Sequence, residues 1–360
     1  MERVLDIPAE LLKHTLSPSG KWIERGKYSH IVRGPELAAI LEREYGRPDL
    51  CLKIFRDEAK PLDEFYWGKS EGYSRARIMR GVLLVDCTKA QNLYARHGLA
   101  PRVYDIVLVN GENWAQVTDY ICSDGKKFSW DRVDEITAIY ASELIYRDYN
   151  ARNFIGSRMT DWQFAYLDER YEEGLISRCD KAAWGSHAPY QQIAGLGING
   201  VRDTDSRIED MRWDETDFAG ATVLDTGCNL GAFCQEASDR GAKRVIGVDL
   251  PEVANVAYEV ANWRGYWNMD FIGANLPSGA NKVKSICGID TFDIVLCLAV
   301  RYTNPARWMS SLPGRLAYFE GHARNSESAW RPVLQEHFSR VEFLGMTRDH
   351  GPRPVFRCWR

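Results

Sequence analysis

Asp225, Gly227 and Gly231 fall in the run VLDTGCNLGAF, where an apolar stretch meets a glycine-containing turn that opens a helical pattern. Strand, turn and helix in that order form a binding crevice beyond the carboxyl ends of parallel strands. The two glycines let a ligand approach the backbone closely. A phosphate-binding turn carries G-x-G-x-x-G and aims its helix N-terminus at a pyrophosphate. This turn has G-x-x-x-G with a carboxylate just before it, which suits a cationic amino acid and not a pyrophosphate. Asp249 closes the next apolar run, VIGVDL, about twenty residues on, where a carboxylate accepts both hydrogen bonds of a ribose diol. The two acids read as a clamp on opposite ends of one ligand.

The elements that must position them follow from periodicity. Beyond Ala221, strand-like runs (TVLD, RVIGVD, WNMDFI, FDIVLCLA, RLAYFEG) alternate with helical ones near Ala232–Arg240, Glu252–Trp263, Asn304–Ser311 and Ser328–Phe338. That alternation predicts a mostly parallel sheet covered on both faces. VEFLGMTRDHGPRPVFRCW adds a terminal hairpin. The first third reads as short strands at Lys21–Glu24, Ser29–Arg33, Leu50–Phe55, Val103–Val109 and Ala115–Tyr120. Helices are predicted at Glu36–Glu44, at Val82–Arg96, where Gly98 stops the helix, and at Trp130–Ile145. The charged and then Gly-rich stretch after Asp161 holds the junction. It divides the 360 residues into an α+β domain over 1–180 and an α/β domain over 181–360.

From roughly Tyr190 to the C-terminus these motifs together resemble class I S-adenosylmethionine-dependent methyltransferases. The resemblance implies a Rossmann-like fold with a mostly parallel seven-stranded sheet and S-adenosylmethionine as cofactor. It implies that Asp225, Gly227, Cys228 and Gly231 serve the methionine side and Asp249 the ribose. Ala274, Asn275 and Leu276 then serve the adenine, with Asn275 at a place often acidic. LCLAVRYTNP resembles the fourth-strand motif that faces the transferred methyl, making Arg301 and Tyr302 acceptor-side residues. His322, in YFEGH after the fifth strand, is another. PYQQIAGLGINGVRDTDSRIEDM resembles the lead-in of methyltransferases related to wobble-uridine tRNA carboxymethylating enzymes and to sugar-modifying enzymes. It sets Tyr190, Gln191, Arg202 and Arg207 over the cofactor or acceptor. The plainer alternatives are a small loop residue for Cys228, a packing aromatic for Tyr302 and a satisfied polar group for His322.

GKYSHIV, CLKIF, YRDYNARNF and DWQFA follow one another in the order of a protein-kinase or aminoglycoside-phosphotransferase fold. This resemblance implies a kinase-like domain in which Gly26 and Ser29 turn over phosphates and Lys53 pairs with them. Asp148 with Asn153 at +5 matches the catalytic-loop spacing, with Tyr146 where histidine is usual. Asp148 would orient the acceptor hydroxyl, while Asn153 and Asp161 would hold Mg2+ against ATP. The helix Val82–Arg96 has no Glu for Lys53, which leaves Asp86 or Gln91, and little chain follows Asp161 for a second lobe. A pseudokinase that binds without catalysis is the alternative. Singly, Lys53 reads as a solvated strand residue, and Asp148 and Asn153 as loop residues in Asx turns.

Forty-six basic against fifty acidic residues leave a net charge of -4, with no global drive toward nucleic acid. A third reading, a tRNA-modifying methyltransferase, finds no support there. The N-terminus lacks a signal-peptide pattern, and no apolar run reaches the ~18 residues of a membrane span, so a cytoplasmic location is expected. Nine cysteines without a C-x-x-C pair predict reduced, buried thiols and no metal-thiolate site. The sequence thus points to a methyltransferase fused to a kinase-like domain, modifying a sugar, glycan or other small molecule. It resembles kinase-methyltransferases that cap bacterial surface polysaccharides, although those place the methyltransferase first.

Overall fold

The short apolar runs of the first third pair into a five-stranded sheet. The computed structural model describes residues 3–13, 29–55, 82–111, 113–121, 126, 129–140, 144–146, 154–155, 158–159, 165–167, 170–182, 189–275, 280–300, 314–321, 326–349 and 351–360. The chain divides into two compact units, Met1–Tyr171 and Glu172–Arg360. In the first, β1 (Arg3–Leu5), β2 (Ser29–Val32), β3 (Leu50–Phe55), β4 (Val103–Val109) and β5 (Asn113–Asp119) take the order β1-β4-β5-β3-β2. All pairs are antiparallel except β1 with β4.

Helix α1 (Pro35–Tyr45) opens on a proline whose fixed φ suits a first helical turn, and ends at Gly46 with φ 64. Its Leu37, Leu41 and Tyr45, spaced by four, pack with Leu52, Ile54, Val107 and Val117. Helix α2 (Val82–Arg96) runs in sequence between β3 and β4. Its buried Asn92 exchanges two hydrogen bonds with the Val103 backbone, at 2.8 and 3.0 Å. Helix α3 (Trp130–Ile139) stops short of the predicted Ile145. Leu144–Tyr146 instead forms β6, paired antiparallel with β9 (Ala165–Leu167), because a cross-strand partner outweighs the local helical period there. β7 (Phe154–Ile155) and β8 (Arg158–Met159) make a second small ladder. The expected strand Lys21–Glu24 and helix Asn304–Ser311 lie outside the described residues.

The charged stretch expected to hold the junction forms α4 (Tyr171–Ala182). Tyr171, Leu175 and Cys179 are buried at helical spacing while the charges lie on its other faces. Next comes α5 (Thr204–Asp210), capped by Asp203, which accepts from the amides of Asp205 and Ser206. Strands and helices then alternate as β10 (Thr222–Thr226), α6 (Ala232–Asp239), β11 (Arg244–Asp249), α7 (Pro251–Trp263), β12 (Met269–Gly273), α8 (Ala280–Cys287), β13 (Phe292–Leu298), β14 (Gly314–Glu320), α9 (Glu327–Gln335), β15 (Arg340–Met346) and β16 (Pro354–Trp359).

The seven strands lie in the order β12-β11-β10-β13-β14-β16-β15. The first five are mutually parallel, and β16 runs antiparallel to both its neighbours as half of the expected hairpin. Leu224, Ile246, Val295 and Phe319 pack on one side with Trp330 and Phe356. Trp213, fully buried, meets Phe218 and Tyr318 at tilted ring angles and Phe233 edge-on. The chain steps outward from β10 to β12 and returns on the far side of β10 with β13. That reversal is a topological switch point, and in open α/β sheets ligands bind beyond the carboxyl ends of the strands there, in this sheet those of β10, β11 and β13. No described helix is long and apolar enough to cross a membrane.

Candidate functional site

In the β10–β11 register Asp225 pairs with Gly247 and Thr226 with Val248, so Asp249 lies one pleat repeat further along the face that carries Asp225. The chain leaves β10 through Gly227 (φ 79), Asn229 (φ 51) and Gly231 (φ 84). Asparagine is among the few side chains that visit this left-handed region readily. The Gly227 and Cys228 amides both donate to the Val248 carbonyl, at 2.7 and 3.1 Å, pinning the turn to β11. Asp249 reaches back to it: Oδ2 accepts from the Asn229 amide and Oδ1 from the Leu250 amide, each at 2.8 Å. Burial raises the Asp249 carboxyl above the usual range, and those two amides oppose the rise.

Asp225 is 1% exposed. Its one hydrogen-bond donor among the described residues is the Cys234 thiol, 3.5 Å from Oδ2. Burial pushes its carboxyl up to about 7; the Cys234 bond and Arg207 lower it, and Asp249 raises it. The Asn229 Oδ1 is also buried and has no hydrogen-bond partner among the described residues. A buried acceptor left in that state is costly, so the turn is built for a ligand that brings N–H groups and positive charge. The first amide of α6, on Ala232, is already taken by Gln191 Oε1 at 3.1 Å. In a nucleotide-binding turn that amide would face a phosphate.

The turn is also tightly packed. A Cβ on Gly247 would sit 2.7 Å from the Phe271 ring and 2.8 Å from Cys228 Sγ. We expect Gly247→Ala to destabilise the chain by about 1–3 kcal/mol, read from the denaturant midpoint. A loss below about 0.5 kcal/mol would show that the turn yields freely.

Across β10, β13 runs on to Ala299, a non-glycine residue at φ 62 whose amide donates to the Glu320 carbonyl at 3.0 Å. Such a conformation at a strand tip persists only where its surroundings over-determine it. Glu320 ends β14, 2% exposed and enclosed by three guanidinium groups. Arg207 Nε donates at 3.0 Å, with a second shorter bond from Nη2, and Arg202 Nη2 and Arg353 Nη1 donate at 3.3 Å. Arg202 also grips Asp349, and the Tyr190 hydroxyl accepts from Arg202 and Arg353 at 3.0 and 2.9 Å. The lead-in segment thus joins the start of α6, through Gln191, to the tip of β14.

Of the residues expected at the site, Asp225, Gly227, Cys228, Gly231 and Asp249 come together at the tips of β10 and β11. Cys228 is fully buried beneath the turn. The Ala274 amide donates to the Asp249 carbonyl at 2.8 Å, and Asn275 is exposed just beyond β12. Tyr190, Gln191, Arg202 and Arg207 join the cluster just described. In the first unit Ser29 begins β2, and Lys53 sits mid-β3, paired with Ile31 and Gln116. Lys53 is buried at 7% exposure, not solvated. Gln91 Nε2 donates to the Pro101 carbonyl at 2.6 Å, which leaves its buried Oε1 without a partner among the described residues. Gly26, Asp148, Asn153, Asp161, Leu276, Arg301, Tyr302 and His322 lie outside the described residues. Sequence reasoning passes over Cys234, Glu320, Asp349 and Arg353. The available signal was Glu320 at the end of the apolar run LAYFE, because an acid so placed must find partners.

No family model matches the chain. Protein arginine N-methyltransferase 1 of Dictyostelium discoideum is 46% identical over 43 residues, which is 12% of this chain and 13% of that protein. Similar solved structures include the bifunctional kinase-methyltransferase WbdD, 20% identical, covering 52% of this chain and 46% of its own, with TM-score 0.40. The N-terminal domain of EvdMO1 with SAH bound is 13% identical over 52% of this chain and 96% of its own, also at 0.40. Magnesium protoporphyrin IX methyltransferase from Synechocystis PCC 6803 with bound SAM is 22% identical over 43% and 77%, at 0.35. The chain spans less than half of WbdD and a small part of the curated protein.

Proposed function

We propose that the Glu172–Arg360 unit is an S-adenosylmethionine-dependent methyltransferase acting on a sugar, glycan or other small molecule. The observation that carries this reading is the pair Asp225 and Asp249, on one face at adjacent parallel strand tips, with Asp225 buried and short of a cation. Asp225 and the Asn229 amide oxygen would take the methionine ammonium. Asp249 would take the ribose diol, and Ala274, Asn275 and Leu276 the adenine. Gln191 supports the reading against a dinucleotide by occupying the Ala232 amide.

The bound cofactor supplies an electrophilic methyl on a sulfonium. The chain's part is to hold an acceptor in line with it, and such positioning supplies effective molarities of roughly 10⁵–10⁸ M. Arg301 and Tyr302, following β13, are the proposed acceptor-side residues. His322, following β14, is the proposed base for a hydroxyl acceptor, a role contributing roughly 10²–10⁴ in rate. Calorimetry with S-adenosylhomocysteine at pH 8 tests the cofactor assignment. We expect saturable binding, weakened about ten- to hundredfold by Asp249→Ala. Folded wild-type chain that takes up none of it sinks the reading, as does undiminished binding by the variant.

For the Met1–Tyr171 unit we propose a kinase-like domain. It is supported by the antiparallel order β4-β5-β3-β2, by α2 between β3 and β4 in sequence, and by Lys53 buried mid-β3. Gly26, Ser29 and Lys53 would hold ATP, Asn153 and Asp161 the Mg2+, and Asp148 the acceptor hydroxyl. The absence of a Glu on α2 favours the alternative of a pseudokinase. Phosphate transfer from labelled ATP that Asp148→Ala abolishes would decide for the active form.

A further inference from the structure

The donor that holds Asp225 is a thiol. Cys234, in the first turn of α6, sets Sγ 3.5 Å from Asp225 Oδ2. Cys234 Sγ in turn accepts from Cys228 in the glycine turn, whose one thiol proton is shared with the Asn229 carbonyl, 3.6 Å from its Sγ. All three residues are buried to within 1%. The nest is walled by glycines, since a Cβ on Gly231 would meet the Phe271 ring at 2.9 Å and one on Gly247 would meet Cys228 Sγ. Burial lifts Cys228 well above the thiol range and Cys234 to about 11, so both keep their protons and act as donors, not nucleophiles.

We infer that Cys234 is a positioning residue, whose S–H, backed by Cys228, aims the Asp225 carboxylate at the bound cation. The inference rests on the proposed role of Asp225 in holding the methionine ammonium. A thiol is a weak donor. It eases the charging of Asp225 without satisfying it, and so keeps the carboxylate available to the ligand. A hydroxyl would bind the carboxylate harder, and a methyl group not at all. The charged groups facing Asp225 are Asp249 on β11, which raises it, and Arg207 on α5, which lowers it while bonded to Glu320. Cys297 on neighbouring β13 is buried and neutral, its thiol pushed far up.

Carbon-13 NMR of ligand-free chain labelled at aspartate carboxyls, with Asp225→Asn for assignment, reads this carboxyl directly. We expect Cys234→Ala to raise the Asp225 midpoint, near 7 in the native chain, by about one pH unit. Cys234→Ser should hold or lower it. Affinity for S-adenosylhomocysteine at pH 7 should fall about fivefold in Cys234→Ala, as the ionised fraction drops from about half to about a tenth, and the ratio of native to variant affinity should shrink toward one as pH rises past about 8. An unmoved midpoint in Cys234→Ala overturns the inference. Should that variant not fold, a raised midpoint in Cys234→Ser overturns it instead. Native chain that titrates as expected but binds no S-adenosylhomocysteine sinks the methyltransferase reading alone, so the two failures are distinct.

Discussion

Glu320→Ala destabilises the Glu172–Arg360 unit by about 3–5 kcal/mol, because it leaves buried guanidinium charge uncompensated. Arg202 keeps Asp349, but Arg207 loses both of its hydrogen bonds to a carboxylate. Arg207 is 1% exposed, and its Nη1 is already without a partner among the described residues. The measurement is the denaturant midpoint at unchanged slope. Glu320→Gln keeps the volume and one acceptor, so it should cost less, and the difference between the two variants reports the charge itself. A loss under about 1 kcal/mol for the alanine variant would mean that water enters and that this cluster does not fasten the lead-in segment. Because Gln191 rides on the same segment, the alanine variant should also lose order at the start of α6.

Asp225→Asn removes a pH-dependent cost. The native carboxyl titrates near 7 when folded, against about 3.9 unfolded. Between those values the folded chain holds a proton that the unfolded chain has released, so stability falls as pH rises. The contribution of neutral Asp225 is complete below about pH 4 and gone above about pH 7, a span on the order of 4 kcal/mol. The asparagine variant should therefore melt higher than the native chain at pH 8, and the advantage should vanish by pH 4. Identical pH profiles for the two proteins would refute the burial of this acid. Binding runs the other way: a cationic ligand selects the ionised carboxylate, so native affinity rises with pH through 7, and the asparagine variant loses it. The same burial that taxes the fold at neutral pH makes the site hungry for a cation.

Much of this was open to a reader of the chain alone, for a local reason. Strand and helix periods repeat within a few residues, and Gly227 and Gly231 stand where the strand period gives way to the helical one. So the strands from β10 to β14, the terminal hairpin, α1 and α2 are legible, and Asp225 and Asp249 stand out as acids at strand ends. Local signals also mislead. Charges and a glycine hide the buried stripe Tyr171, Leu175 and Cys179 of α4, while an apolar continuation past Ile139 conceals the switch to β6, whose partner is β9.

By itself the amino-acid order determined which segments become strands and helices and which acids end up at strand tips. Only the tertiary structure decided which of those acids is sealed from water, which thiol touches it, and which arginines meet at Glu320. Arg207 and Glu320 are 113 positions apart, and no period spans that distance. Their meeting depends on the crossover that brings the chain back from β12 to the far side of β10. The energy of a buried charge is set by whatever that crossover delivers within a few ångströms of it.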